Sequence, residues 1–163
     1  MEEFVTSAGI AMYRIRDNRL DVYTIKPAGP WHKKSPRSLP KGKVNEGEDV
    51  KVAAVREFHE ETGIVVPADA VLVDLGSADA KGKHHKGGKK VLHIWAWRND
   101  DFDESVPSVS NEYEIEWPPR SGRMQKYPEV EDGKFMPIDA TMKNVNPATA
   151  SLLKRLAELE DGE

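Results

Sequence analysis

The chain has 163 residues, about one ordinary domain, so a single core spanning 1–163 is expected to carry the whole function. Hydrophobic residues are 38% and charged residues 32%, more polar than the usual soluble average of about 45–50% apolar, and no apolar run approaches the roughly 18 residues of a membrane helix. The net charge of -4 gives no global pull on nucleic acid, and with no cysteine there is no disulfide framework, thiolate nucleophile or cysteine zinc site, which suits a cytoplasmic setting. The acidic start, Met1-Glu2-Glu3, is also the opposite of a basic signal peptide.

Ser7 to Ile15 and Leu20 to Ile25 are loosely alternating apolar runs separated by Asp17-Asn18, which predicts a β-hairpin. Pro27 to Pro40 is too proline-rich for helix and reads as an ordered loop. Asp49 to Thr62 predicts a helix: Val50, Ala53, Ala54 and Phe58 form an apolar stripe. Glu48 and Asp49 suit its positive end, and Gly63 its left-handed C-terminal cap. Val71 to Ser77 and Val91 to Trp97 are predicted strands joined by the basic segment Lys81–Lys90, where Gly87-Gly88 can turn the chain. Tyr113 to Trp117 alternates as a strand ended by Pro118-Pro119, a short strand follows near Lys134 to Ile138, and Pro147 opens a last helix with Leu152, Leu153, Leu156 and Leu159 on one face. Runs of strands with one central and one terminal helix predict an α+β fold, an αβα sandwich around a mixed sheet.

Chemistry concentrates on the central helix. Glu57, Glu60 and Glu61 stand at i, i+3 and i+4 and share one arc of its surface. Like charges at that spacing cost a few tenths of a kcal/mol even in water, so folding alone gives no reason to gather them. A solvated acidic face is the ordinary explanation, and a divalent cation is the other. Oxygen ligands without Cys favour Mg2+ or Mn2+ over zinc. Arg56 lies beside the cluster, and Glu48 reaches it if the glycine-bearing loop from Pro40 folds back.

Gly42, Glu48, Arg56, Glu57, Phe58, Glu60, Glu61, Gly63 and Ile64 fit the pattern G-x5-E-x7-R-E-U-x-E-E-x-G-U, with U bulky and apolar. The segment 42–64 therefore resembles the Nudix box of the Nudix hydrolase (MutT-like) family. Seven specified residue types at roughly 7% each coincide by chance on the order of 10⁻⁸ per register, so the resemblance is specific. Phe58 departs from the usual aliphatic U without touching a ligand position. The resemblance implies an αβα sandwich and hydrolysis of a diphosphate linked to another group, with water attacking phosphorus. It implies metal-ligand roles for Glu57, Glu60 and Glu61 and for a backbone carbonyl near Gly42. Glu57 or Glu61 orients or deprotonates the water, with Glu57 preferred, and Arg56 with Glu48 forms an ion pair pinning loop to helix. The family also often takes a further ligand or base from a loop before a late strand, a place that Glu129 fills here; its alternative is an ordinary solvated glutamate.

Lys41 and Lys43 flank the box glycine as in Nudix enzymes acting on dinucleoside polyphosphates, where extra positive charge suits a long phosphate chain; solvated loop lysines are the plain alternative. Trp31 offers a ring for base stacking or for packing on the sheet, beside the cationic Lys33. Glu116 to Arg123 resembles a segment of a bacterial subgroup of predicted NTP pyrophosphohydrolases and offers Arg120 to a phosphate. The segment Lys81–Lys90 is a poor metal site, because adjacent histidines on a strand face opposite ways, and is read as a solvated loop. His59 is expected to face solvent, and His93 to be buried or to line the cleft. The expected substrate is a dinucleoside polyphosphate or nucleoside triphosphate. The alternatives are an RNA 5′ end and a catalytically silent nucleotide-binding module, in a monomer or homodimer.

Overall fold

Alternation along the first strand sorts the protein into two cores. In the computed structural model, which describes residues 4–27, 36–80, 89–103, 112–128 and 130–161, β1 (Phe4–Arg16) sends Ala8, Ile10 and Met12 to one side and Ala11 and Tyr13 to the other. Period-two alternation with both faces apolar is the signature of a strand covered by helices on both sides. The predicted turn holds: Asp17 and Asn18 adopt φ 52° and 63°, left-handed values that Asn and Asp tolerate, and β2 (Arg19–Pro27) returns antiparallel.

The remaining elements are β3 (Lys41–Lys43), α1 (Val50–Thr62), β4 (Val73–Asp79), β5 (Lys89–Arg98), β6 (Glu112–Glu116), β7 (Met124–Pro128), β8 (Val130–Pro137), α2 (Ile138–Asn144) and α3 (Pro147–Asp161). The main sheet runs β4-β5-β1-β2-β8, with β3 also paired to β1. It is mixed: β1 and β5 are parallel and the other pairs antiparallel. One edge of β1 is shared, Ser7 to Gly9 pairing with β3 and Tyr13 to Arg16 with β2. On one face Leu92, Ile94 and Ala96 of β5 pack with Leu152, Leu153 and Leu156 of α3. On the other, Trp95 and Trp97 pack with Ala53, Ala54 and Phe58 of α1. The arrangement is the expected αβα sandwich.

Several details depart from expectation. Asp49 occupies the N-cap of α1 without a side-chain cap bond, while Gly63 at φ 75° returns its N–H to His59 O at 2.7 Å. Neither β3 nor α2 was predicted, and β6 pairs with the unpredicted β7 in a separate two-stranded sheet. Leu159 is 51% exposed and so leaves the apolar face of the last helix. His59 is exposed as expected, whereas His93 stacks on Trp95 with centroids 4.0 Å apart and places Nε2 2.6 Å from Asp74 Oδ1. The turn at Gly87-Gly88 lies outside the described residues. No helix among the described residues is long and apolar enough to cross a membrane.

Candidate active site

Two elements build the site. The apolar stripe of α1 turns Ala53, Ala54 and Phe58 into the core, with the Phe58 ring edge-on to Trp97 at 6.0 Å. The same docking brings the adjoining arc, carrying Glu57, Glu60 and Glu61, beside the short strand β3, since Glu57 follows Ala53 by four residues and Glu61 follows Phe58 by three. The strand is held by pairing of Lys41, Gly42 and Lys43 with Gly9, Ala8 and Ser7, and by Val44 N–H donating to Thr6 O at 2.9 Å.

Gly42 is the contact point. A Cβ built on it would fall on the carboxylate carbon and both oxygens of Glu57, so a hydrogen at this position is what lets the carboxylate lie against the strand. One residue away, the Lys41 backbone N–H donates to Glu61 Oε2 at 2.8 Å. Sequence reasoning missed this anchor, and no side-chain pattern signals a backbone donor.

Arg56 gathers the loop. Its Nε and Nη2 donate to the two Glu48 carboxylate oxygens at 2.8 and 2.9 Å, and Nη2 also reaches Lys43 O at 3.1 Å. The same guanidinium donates through Nη1 to Glu57 Oε1 at 2.9 Å and Glu60 Oε2 at 3.1 Å. The sequence expectation paired Arg56 with Glu48 alone; the geometry makes it a hub for three carboxylates. Such charge-assisted, partly bidentate bonds are the strong class of hydrogen bond. The bonded Arg56 holds the Glu48 carboxyl down to about 2, helped by the Asn45 amide at 3.0 Å, and Glu48 first among its partners raises Arg56 in turn.

Because the folded-state value of Glu48 lies below its unfolded one, its contribution to stability is complete above the ordinary carboxylate range and is lost as pH falls toward about 2. Glu48→Gln should therefore lower stability at neutral pH and converge with wild type as pH falls toward about 2, which flattens the acid limb of the stability-against-pH curve below about pH 4.3. Parallel acid limbs for variant and wild type in urea melts would contradict the pairing.

Lys41 is driven below the usual lysine range, chiefly by burial, with Lys90 pushing the same way and Glu61 opposing. Lys43 is exposed at the lip of the strand. Arg120 sits exposed at φ 62° in the β6–β7 turn, and none of the described hydrogen bonds ties it to α1. Trp31, Lys33, Glu129 and most of Lys81–Lys90 lie outside the described residues.

The donor set is three carboxylates and the Lys43 carbonyl on one guanidinium, with Glu61 beside them on the Lys41 amide, hard-oxygen chemistry that fits a small divalent cation. The space left by Gly42 for Glu57 fits the same use. Among the described residues, no group of three or more His, Asp or Glu side chains is spaced to enclose an ion as it stands.

An α+β sandwich with an acid-bearing helix docked on a lysine-flanked glycine strand defines a Nudix-fold domain. The Nudix domain model matches residues 5–156, and the chain belongs to the Nudix family, whose members hydrolyse phosphoanhydride bonds. Among solved structures, a binary complex of Ap4A hydrolase from C. elegans is 20% identical with a TM-score of 0.68, covering 98% of this chain and 99% of that one. The NUDIX domain of Shewanella oneidensis NrtR complexed with ADP ribose is 15% identical with a TM-score of 0.63, covering 97% and 89%. The MutT protein from Methanosarcina mazei Go1 is 13% identical with a TM-score of 0.60, covering 99% and 98%. No curated protein sequence matches the chain.

Proposed function

We propose that the chain is a single-domain, metal-dependent pyrophosphohydrolase that cleaves a phosphoanhydride bond of a nucleotide, a dinucleoside polyphosphate first and a nucleoside triphosphate second. The observation that carries the reading is the Glu57 carboxylate seated in the space left by Gly42, on one arc with Glu60 and Glu61. Glu57, Glu60, Glu61 and a backbone carbonyl near Gly42 would hold Mg2+ or Mn2+, with Glu129 as a further ligand or base. Held there, such an ion would supply electrophilic assistance at phosphorus, a more acidic water and a template for the phosphates. The water oxygen bonds to phosphorus as its proton passes to the Glu57 carboxylate, and the bond from that phosphorus to the bridging anhydride oxygen breaks, the oxygen leaving on the other phosphate as an anion. Arg56 braces Glu57 and Glu60 while tying Glu48 and the Lys43 carbonyl to the helix. Glu61, fixed by the Lys41 amide, keeps α1 in register with β3.

Similarity to an Ap4A hydrolase and to an ADP-ribose-bound domain supports a nucleotide substrate. The lysines support a long phosphate chain: the exposed Lys43, with Lys41 on the same strand and Arg120 from the hairpin, offers cationic donors, and from the sequence Lys33 would add another and Trp31 a ring for the base. A cysteine-free composition fits the reducing cytoplasm.

A nucleotide panel with magnesium, read as phosphate release with and without added phosphatase, tests the reading. Turnover of dinucleoside polyphosphates and triphosphates is expected. No turnover on any anhydride by folded protein would make the chain a nucleotide-binding module, and turnover confined to 5′-triphosphorylated RNA would move the substrate to RNA ends. Within the panel, Lys43→Ala should raise KM by about fivefold for a tetraphosphate and less for a diphosphate, the scale of an exposed charge contact. Equal increases for short and long chains would discard the role of Lys43 in holding the chain.

A further inference from the structure

The β1–β2 hairpin tip sets Arg16 directly across from Arg19 and Arg14 across from Asp21. Like charges directly opposed on an antiparallel pair are destabilising, so hairpin formation gives no reason for the arginine pair. Arg14 and Arg16 continue the row of Ala8, Ile10 and Met12, which places them on the α1 side of the sheet. There Arg14 is buried, with its guanidinium 4.2 Å over the Phe135 ring. The hairpin borders a cavity of about 370 Å³ lined by Arg14, Arg16, Asp17, Arg19 and Asp21.

The arginines are braced there. Asp21 is 1% exposed; its carboxylate takes Arg19 Nη2 at 3.0 Å and lies 2.8 Å from Arg19 Nε and 3.4 Å from Arg14 Nε. One buried carboxylate thus positions two guanidiniums. Arg16 donates to the neutral backbone carbonyl of Asp100 at 3.0 Å, while the Asp100 side chain serves Arg98 and the Ile15 amide. Among the described lining residues three guanidiniums face two carboxylates, in a cavity roomy enough for a tetrahedral oxyanion, and planar guanidinium forks match phosphate oxygens.

We propose that this pocket binds a phosphate group, either free inorganic phosphate or the phosphoryl end of a nucleotide. It lies five to seven residues along β1 from Gly9, the partner of Lys41, roughly 17–23 Å at the rise of an extended strand. That is too far to share a phosphate with the Glu57 site, so the pocket is a second anion site, independent of the hydrolytic reading.

Amide NMR on the Glu57→Gln protein, which should leave nucleotides intact, tests it. Titration with inorganic phosphate is expected to shift the amides of Arg16 to Arg19 saturably, and Arg16→Ala to weaken that response about tenfold, the scale of one lost charge-assisted bond. Arg19→Ala, at a side chain 63% exposed, should do the same and serves if Arg16→Ala does not fold. A response to ADP alone assigns the pocket to nucleotide phosphoryl groups; a response to both assigns it to phosphate itself, and either supports the site. Unmoved hairpin amides with both ligands, or undiminished shifts in both arginine variants, would overturn it. Neither readout depends on turnover, so a failed hydrolysis assay leaves this test standing.

Discussion

Glu57→Gln is expected to reduce turnover by at least about a hundredfold while the domain stays folded. In the proposed mechanism the barrier effect follows from losing a carboxylate that would accept the water proton and hold the cation, interactions worth several kcal/mol where each 1.36 kcal/mol is a factor of ten. The folded state is spared because a glutamine oxygen can still accept from Arg56 Nη1, as Glu57 Oε1 does at 2.9 Å, and because one member of a crowded carboxylate arc becomes neutral. Kinetics paired with thermal melts in chelator decide it. Unchanged turnover would remove Glu57 from the chemistry, and a melt lowered by more than about 8 °C, roughly 2 kcal/mol for a domain of this size, would make it a structural residue.

Gly42→Ala should cripple the enzyme nearly as much through a different route. The new methyl would occupy the place of the Glu57 carboxylate, and no left-handed backbone angle is needed at Gly42, so the strand itself tolerates alanine. What must move is the far end of a flexible side chain. Stability should therefore fall by about 1 kcal/mol or less while turnover falls about a hundredfold. Since both substitutions act on one carboxylate, their effects should not add: the double variant should match Glu57→Gln alone within about threefold. Full additivity would show that Gly42 acts independently of Glu57.

The readable parts of this protein were those where side chains carry the signal. The stripe Val50, Ala53, Ala54, Phe58 and the stop at Gly63 gave α1 within one residue, and Asp17-Asn18 located the first turn. The box residues could be grouped because helical spacing converts sequence distance into a shared face. What stayed hidden was set by partners distant in sequence. The strand Lys41-Gly42-Lys43 has no apolar alternation and exists because β1 offers it a free edge. The seven-residue helix after Pro137 is too short for periodicity to register, and is held by Ile138 and Thr141 in the core. Leu159 looked like the next step of a leucine stripe, yet it is half exposed, although its neighbour Glu160 still accepts from the Tyr13 hydroxyl of β1. Arg56 binding Glu57 and Glu60 as well as Glu48 was hidden for another reason: i, i+1 and i, i+4 contacts were open to it, but only the folded loop shows that one guanidinium serves them all.

The divided edge of β1 has a mechanical consequence. Between Gly9 and Tyr13 this edge changes partner from β3 to β2, while the other edge of β1 stays paired with β5 from Phe4 to Tyr13. Three residue pairs can part on the catalytic side without unzipping the hairpin on the other. Local opening of that size lies far below the free energy of global unfolding, so β3 can part from β1 beside the acids while β1 keeps its pairing with β5.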